Sequence, residues 1–152
     1  MSSILVVEDN IDMQFLLVNL LKKEGFEITT VSNGLEALNN IENIDPSLVL
    51  LDIRLPGMNG LEVLEKIRKL NRNIPIIMVT AYANIKDASR SIRLGAKAYI
   101  TKPFDYIDLI KTIKRELKVI SRGQNEKNYN FFNHINYIYT KSTGSDRFCL
   151  SV

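Results

Sequence analysis

Cysteine is almost missing from the 152-residue sequence. Cys149 stands alone, so no internal disulfide can form, and a reducing compartment, the cytoplasm, is expected. Histidine is equally scarce: His134 is the only one, near the C-terminus, and a zinc site has too few soft donors. No apolar run approaches the roughly 20 residues of a membrane helix. No basic segment precedes the first short apolar run, as a signal peptide would require. Charge of one sign is lacking too. Lys and Arg total 20 against 17 Asp and Glu, a formal +3, far from the clustered basic face that holds nucleic acid. What is present is an ordinary globular balance of 45% hydrophobic and 24% charged residues. The length suits one domain with a core but not two.

Short apolar runs punctuate the chain. Ile4 to Val7, Leu48 to Leu51 and Ile76 to Val79 read as strands buried on both faces, and Ala98 to Thr101 as a further strand. Phe26 to Val31 alternates and is rich in β-formers, which predicts a fifth strand. Between them lie helical periodicities. Met13, Leu16, Leu17, Leu20 and Leu21 mark a helix over Asp12 to Glu24, with Gly25 at its C-cap; Leu35, Leu38 and Ile41 mark a second, ending near Asp45-Pro46. Leu61, Leu64, Ile67 and Leu70 predict a third helix, Ile85, Ala88 and Ile92 a fourth, and Leu109, Ile110, Ile113, Leu117 and Ile120 a fifth that starts at Asp105. Alternating strands and helices imply a doubly wound α/β sheet of five parallel strands, since the common closed barrel needs eight repeats.

Four of these strands end in polar residues: Glu8 and Asp9, Asp52, Thr80, and Lys102. In a parallel sheet all such ends share one edge, the edge where ligands of open α/β sheets bind. Each residue alone has a structural explanation. Asp52 could start the turn through Pro56, Gly57, Asn59 and Gly60; Glu8 and Asp9 could be helix-terminal acids, Thr80 a cap, Lys102 a solvated charge. Together they make a cluster of carboxylates with one hydroxyl and one ammonium. Two carboxylates about 4 Å apart repel by roughly 4 kcal/mol at an effective dielectric near 20, so the cluster must take up protons or a cation. Oxygen ligands alone suit a hard divalent ion, Mg²⁺ in the cell, with Mn²⁺ able to substitute. A metal, an ammonium and a hydroxyl aimed at one Asp suit phosphoryl chemistry with that carboxylate as nucleophile.

Taken in order, Leu5-Val6-Val7-Glu8-Asp9-Asn10, Leu50-Leu51-Asp52, Pro56-Gly57-Met58-Asn59-Gly60, Val79-Thr80-Ala81, Leu94-Gly95-Ala96 and Lys102-Pro103-Phe104 resemble the motif set of the response-regulator receiver domain, over about residues 1 to 120. The resemblance implies a flavodoxin-like (βα)5 fold with strand order 2-1-3-4-5. It implies that Asp52 accepts a phosphoryl group from a phosphohistidine of a sensor kinase or phosphotransfer protein. Asp9, Asp52 and the backbone carbonyl of Arg54 would hold Mg²⁺, and Glu8 would act through a bound water. Lys102, the Thr80 hydroxyl and the Ala81 N–H would bind the phosphoryl oxygens, and Tyr99 would rotate to report the change, with a half-buried strand tyrosine as the alternative. The Lys102-Pro103 bond would be cis. Arg54 and Tyr82, each two residues past a site residue, are expected to crowd the path of attacking water and lengthen the phosphoryl lifetime.

The implied protein is a regulatory switch, not an enzyme: a single-domain receiver of the nitrogen-regulation and sporulation-relay type. It would bind a downstream target protein or relay the phosphoryl group onward, as a monomer or a phosphorylation-dependent dimer, without contacting nucleic acid or membrane. Two alternatives stay open, a Mg²⁺-dependent aspartyl-phosphate phosphohydrolase and a truncated transcriptional regulator. The first is disfavoured because Arg54 stands where haloacid-dehalogenase-type enzymes carry their second Asp. The receiver is assigned residues 1–121. Residues 122–152, rich in Asn and aromatics, are expected to be a mobile tail with no output domain, at most a short strand from Ile135 to Tyr139, and His134 as a remote candidate relay.

Overall fold

A run of apolar residues without alternation can be buried only where both faces of a strand are covered. The computed structural model, which describes residues 1–70, 73–122, 136–142 and 145–151, meets that condition. Strands β1 (Ser3–Val7), β2 (Glu27–Val31), β3 (Leu48–Leu51), β4 (Ile76–Thr80) and β5 (Ala98–Thr101) run parallel in the order β2-β1-β3-β4-β5. Helices α1 (Ile11–Lys23), α2 (Gly34–Ile44), α3 (Gly60–Lys69), α4 (Ile85–Arg93) and α5 (Tyr106–Arg122) alternate with them. The period of two in each strand sorts its side chains between two cores. Leu5, Val7, Val49, Leu51 and Met78 pack with α2, α3 and α4. Ile4, Val6, Leu48, Leu50 and Val79 pack with α1 and α5. At roughly 1.5–3 kcal/mol per buried large side chain, these two layers dominate the stability of the sheet. β2, which alternates, lies at the outer edge and is only partly buried.

Asparagine sets the helix starts. Asn10, Asn33, Asn59 and Asn84 each stand at an N-cap and accept from the backbone N–H of Met13, Glu36, Glu62 and Lys86 respectively. Each cap is worth about 1 kcal/mol, and together they fix where chain leaving the carboxyl ends of β1 to β4 turns into helix. Asp105 does the same for α5, accepting from the Ile107 N–H at 2.8 Å. The periodicity misassigned some positions. Leu16, Leu35 and Ile85 are exposed, while Gln14 is buried. Gln14 is tolerated inside because its amide donates to the Glu8 carbonyl at 2.5 Å and to Ser32 Oγ at 3.2 Å.

Two further strands lie in the C-terminal segment, the first overlapping the short strand expected there. Strands β6 (Asn136–Ser142) and β7 (Ser145–Ser151) pair antiparallel, and β7 pairs antiparallel with β5 in the register Ala98–Ser151, Tyr99–Leu150 and Ile100–Cys149. The sheet thereby continues to β2-β1-β3-β4-β5-β7-β6. Tyr137, Ile138, Tyr139 and Thr140 have strand propensity, but the β5 edge that β7 joins lies far back in sequence, beyond the reach of local periodicity. Residues 123–135, which include His134 and the expected strand start at Ile135, lie outside the described residues. Among the described residues no helix is long and apolar enough to cross a membrane.

Candidate functional site

β1 and β3 are adjacent, with Val7 opposite Leu51, so the next residues along the two strands emerge side by side. Glu8 and Asp52 are both buried beneath the edge, and Asp9 is exposed above them. One carboxylate oxygen from each lies within 4.8 Å of the others. A hard divalent cation, which takes oxygens at roughly 2.0–2.6 Å, can bridge such a set. The donor chemistry fits, since all three groups are carboxylates and, among the described residues, no His or Cys joins them.

Lys102, arriving from the end of β5, is the counter-charge. Its Nζ donates to Glu8 Oε2 at 2.5 Å and to Asp52 Oδ2 at 2.7 Å. Burial alone would push the Lys102 ammonium down, but its bonds to Asp52 and Glu8 outweigh that and hold its pKa above the usual value. Burial pushes the Glu8 carboxyl above its usual range, with the bond from Lys102 pulling back. The cluster thus holds a firmly charged ammonium against carboxylates that remain short of positive charge. The Lys102-Pro103 bond is cis.

Thr80 ends β4 and is fully buried, and its Oγ1 accepts from the Tyr82 N–H at 3.4 Å. Ala81 is exposed at the start of the following loop. Tyr99 is buried in β5 and not half-exposed; its hydroxyl donates to the Tyr82 carbonyl at 2.5 Å, and burial pushes its pKa up to about 12. Arg54 donates its backbone N–H to Asp52 Oδ1 at 3.0 Å, and its guanidinium lies 3.9 Å from the Tyr82 ring centroid. Tyr82 is therefore a junction. Its amide, carbonyl and ring touch Thr80, Tyr99 and Arg54 respectively, a convergence that spacing alone does not reveal.

Two further residues shape the site without carrying its chemistry. A Cβ on Gly60 would fall 2.0 Å from the Asp52 carbonyl oxygen, so only glycine lets α3 begin this close to the end of β3. The Gly60 N–H donates to the Ile53 carbonyl at 2.8 Å and closes that turn. Gln14, through the Glu8 carbonyl, fixes the backbone that aims the first acid. The sequence showed Gly60 only as a turn former and gave Gln14 no signal, because a lone polar residue on an apolar helix face reads as solvent-facing.

Comparison with known proteins agrees with this geometry. The family model of the response regulator receiver domain matches residues 4–114. The chain is 36% identical over 118 residues to sporulation initiation phosphotransferase F of Bacillus subtilis, covering 78% of this chain and 95% of that protein. It is 43% identical over 118 residues to the transcriptional regulatory protein CpxR homolog of Haemophilus influenzae, but there the match takes in 78% of this chain and only 51% of the relative. Among solved structures, a CheY-like response regulator receiver domain protein from Methanospirillum hungatei superposes with a TM-score of 0.78 at 37% identity, covering 81% of this chain and 98% of that one.

Proposed function

Because the chain belongs to the response regulator receiver domain family of two-component signalling, we propose that Asp52 is its phosphoacceptor and that the sheet edge around it is a phosphorylation switch. A carboxylate oxygen of Asp52 attacks the phosphorus of a phosphohistidine on a sensor kinase or phosphotransfer protein. The P–O bond forms as the P–N bond breaks, and the departing electron pair returns to the imidazole, which takes up a proton. Mg²⁺, or Mn²⁺ in its place, would be held by Asp9, Asp52 and the Arg54 carbonyl, with Glu8 acting through a water, and would neutralise charge on the transferring group. Lys102 neutralises another phosphoryl oxygen, and the Thr80 hydroxyl and Ala81 N–H donate to the rest. Thr80 must give up the Tyr82 N–H to do so, which frees Tyr99 to repack and alters the α4-β5-α5 face for a downstream protein or onward relay. The protein acts in the cytoplasm, as a regulator that assists its own phosphorylation and slow dephosphorylation.

The observation that carries this reading is Lys102 Nζ bonded at once to Asp52 and Glu8, two of three acids whose carboxylate oxygens lie within 4.8 Å of one another. The test is intact-mass analysis after incubation with Mg²⁺ and acetyl phosphate. One phosphoryl group, a gain of about 80 Da, is expected on the full chain and none on Asp52→Asn. An Asp52→Asn variant that gains the same mass would overturn the assignment.

A further inference from the structure

The strand that carries Tyr99 and leads to Lys102 does not end the sheet. Its outer edge is occupied by the chain's own C-terminal hairpin, on the strand between α4 and α5. Two features mark this as docking of a separable unit. The hairpin strands share seven register pairs with each other, from Asn136–Ser151 to Ser142–Ser145, while β7 shares three with β5, as many as β3 shares with β4 inside the receiver. The hairpin is thus tied more extensively to itself than to the receiver. Pairing along an open edge is also largely backbone recognition, for which any extended segment competes.

The docking point is tied to the acceptor site. The central docked pair is Tyr99–Leu150. Tyr99 donates to the Tyr82 carbonyl, the Tyr82 amide donates to Thr80, the Tyr82 ring carries the Arg54 guanidinium, and the Arg54 amide donates to Asp52. Every link from Asp52 to the edge of β5 is a direct contact, and Thr80 and Tyr99 are the links that phosphorylation would rearrange.

We propose that β6 and β7 are a detachable cap on the β5 edge, docked while Asp52 is unmodified and released when it is phosphorylated, so that the chain withholds this edge from a competing strand until it is switched on. The coupling half of this proposal rests on Asp52 as the phosphoacceptor; the cap itself does not. Linkage makes the relation reciprocal: if the active state releases the hairpin, removing the hairpin favours the active state.

The test compares the full chain with residues 1–122, a length at which related receivers stand alone as solved structures. In hydrogen exchange without phosphodonor, the segment Ala98–Ile100 should exchange at least about tenfold more slowly in the full chain than in 1–122. Equal exchange would overturn the cap. Binding of beryllofluoride, an acyl-phosphate mimic, in the presence of Mg²⁺ should be at least about threefold tighter for 1–122. Leu150→Pro, which places a proline in β7 opposite both Tyr99 of β5 and Tyr137 of β6, should reproduce both changes in a full-length chain. Equal affinities for all three chains would overturn the coupling while leaving Asp52 as acceptor. Failure of every chain to bind the mimic or gain mass from acetyl phosphate would overturn the coupling and the acceptor reading together, with exchange still deciding the cap.

Discussion

β1 and β3 are built like β4 and β5 up to their last residues, and there the two pairs part. All four are buried apolar strands. The first pair ends in Glu8, Asp9 and Asp52, within 4.8 Å of one another. The second ends in Thr80 and, just beyond β5, Lys102. One half of the edge concentrates negative charge, and the other supplies groups that donate to it. The halves are not equally engaged. Lys102 already reaches across to Glu8 and Asp52, whereas Thr80 is occupied on its own side by the Tyr82 N–H. In the proposed switch, holding charge and reporting charge are separate tasks on one edge, joined by one ammonium and by the contacts of Tyr82.

The strongest way to break that division is to remove the ammonium. Lys102→Ala leaves Glu8 and Asp52 buried beside Asp9 with no cation, and losing one partner of a buried ion pair costs about 3–5 kcal/mol. Thermal denaturation should show a large loss of stability without divalent ion, with Mg²⁺ restoring more of it than it adds to the unaltered chain. Phosphorylation by acetyl phosphate should slow by about 10²–10³-fold. A variant of unchanged stability and phosphorylation rate would mean the halves are not joined through Lys102.

How far this division could be read from sequence differs between the halves. The acid half was legible because strand ends and acid identities are local properties: Leu51 runs straight into Asp52, and Val7 into Glu8. Alternation and handed crossovers pointed to a five-stranded doubly wound sheet, but its strand order came only with the family resemblance. The reporting half was legible only as residue types. Nothing local shows that Tyr82 would present its amide, carbonyl and ring to three different residues, or that Tyr99 would be buried. Gln14 on α1 was unreadable because its burial depends on a carbonyl and a hydroxyl brought in from elsewhere in the fold. The hairpin on β5 was missed for the same reason, as a strand's partner is a tertiary fact that periodicity does not encode.

The junction between the halves predicts a smaller effect. Arg54 over the Tyr82 ring forms a roof beside Asp52, held by a cation–π contact worth roughly 0.5–1 kcal/mol where exposed. Arg54→Ala and Tyr82→Ala should each speed loss of the phosphoryl group by about threefold to tenfold, followed by intact mass after the donor is removed. If the two side chains act as one roof, the double variant should be little faster than either single one. Unchanged dephosphorylation in both single variants would sink the idea, and additive acceleration would show two independent obstacles.

The smallest effect isolates the reporting half. Burial raises the Tyr99 phenol from 10.0 to about 12, so the folded state favours its neutral form. The stability this confers is fully present below pH 10 and is lost as pH rises from 10 through about 12, because the unfolded chain releases that proton first. Over this window the unaltered chain should lose up to about 1.4 kcal/mol per pH unit more than Tyr99→Phe, which has no phenol to ionise. At pH 7 the order reverses. Tyr99→Phe leaves the Tyr82 carbonyl without its donor and should be less stable by about 1 kcal/mol. Denaturant titrations of both proteins at pH 7 and between pH 10 and 12 should therefore converge and then cross as pH rises. Parallel curves would mean that the Tyr99 hydroxyl is not held in the fold, and the reporting half would then lose its link to β5.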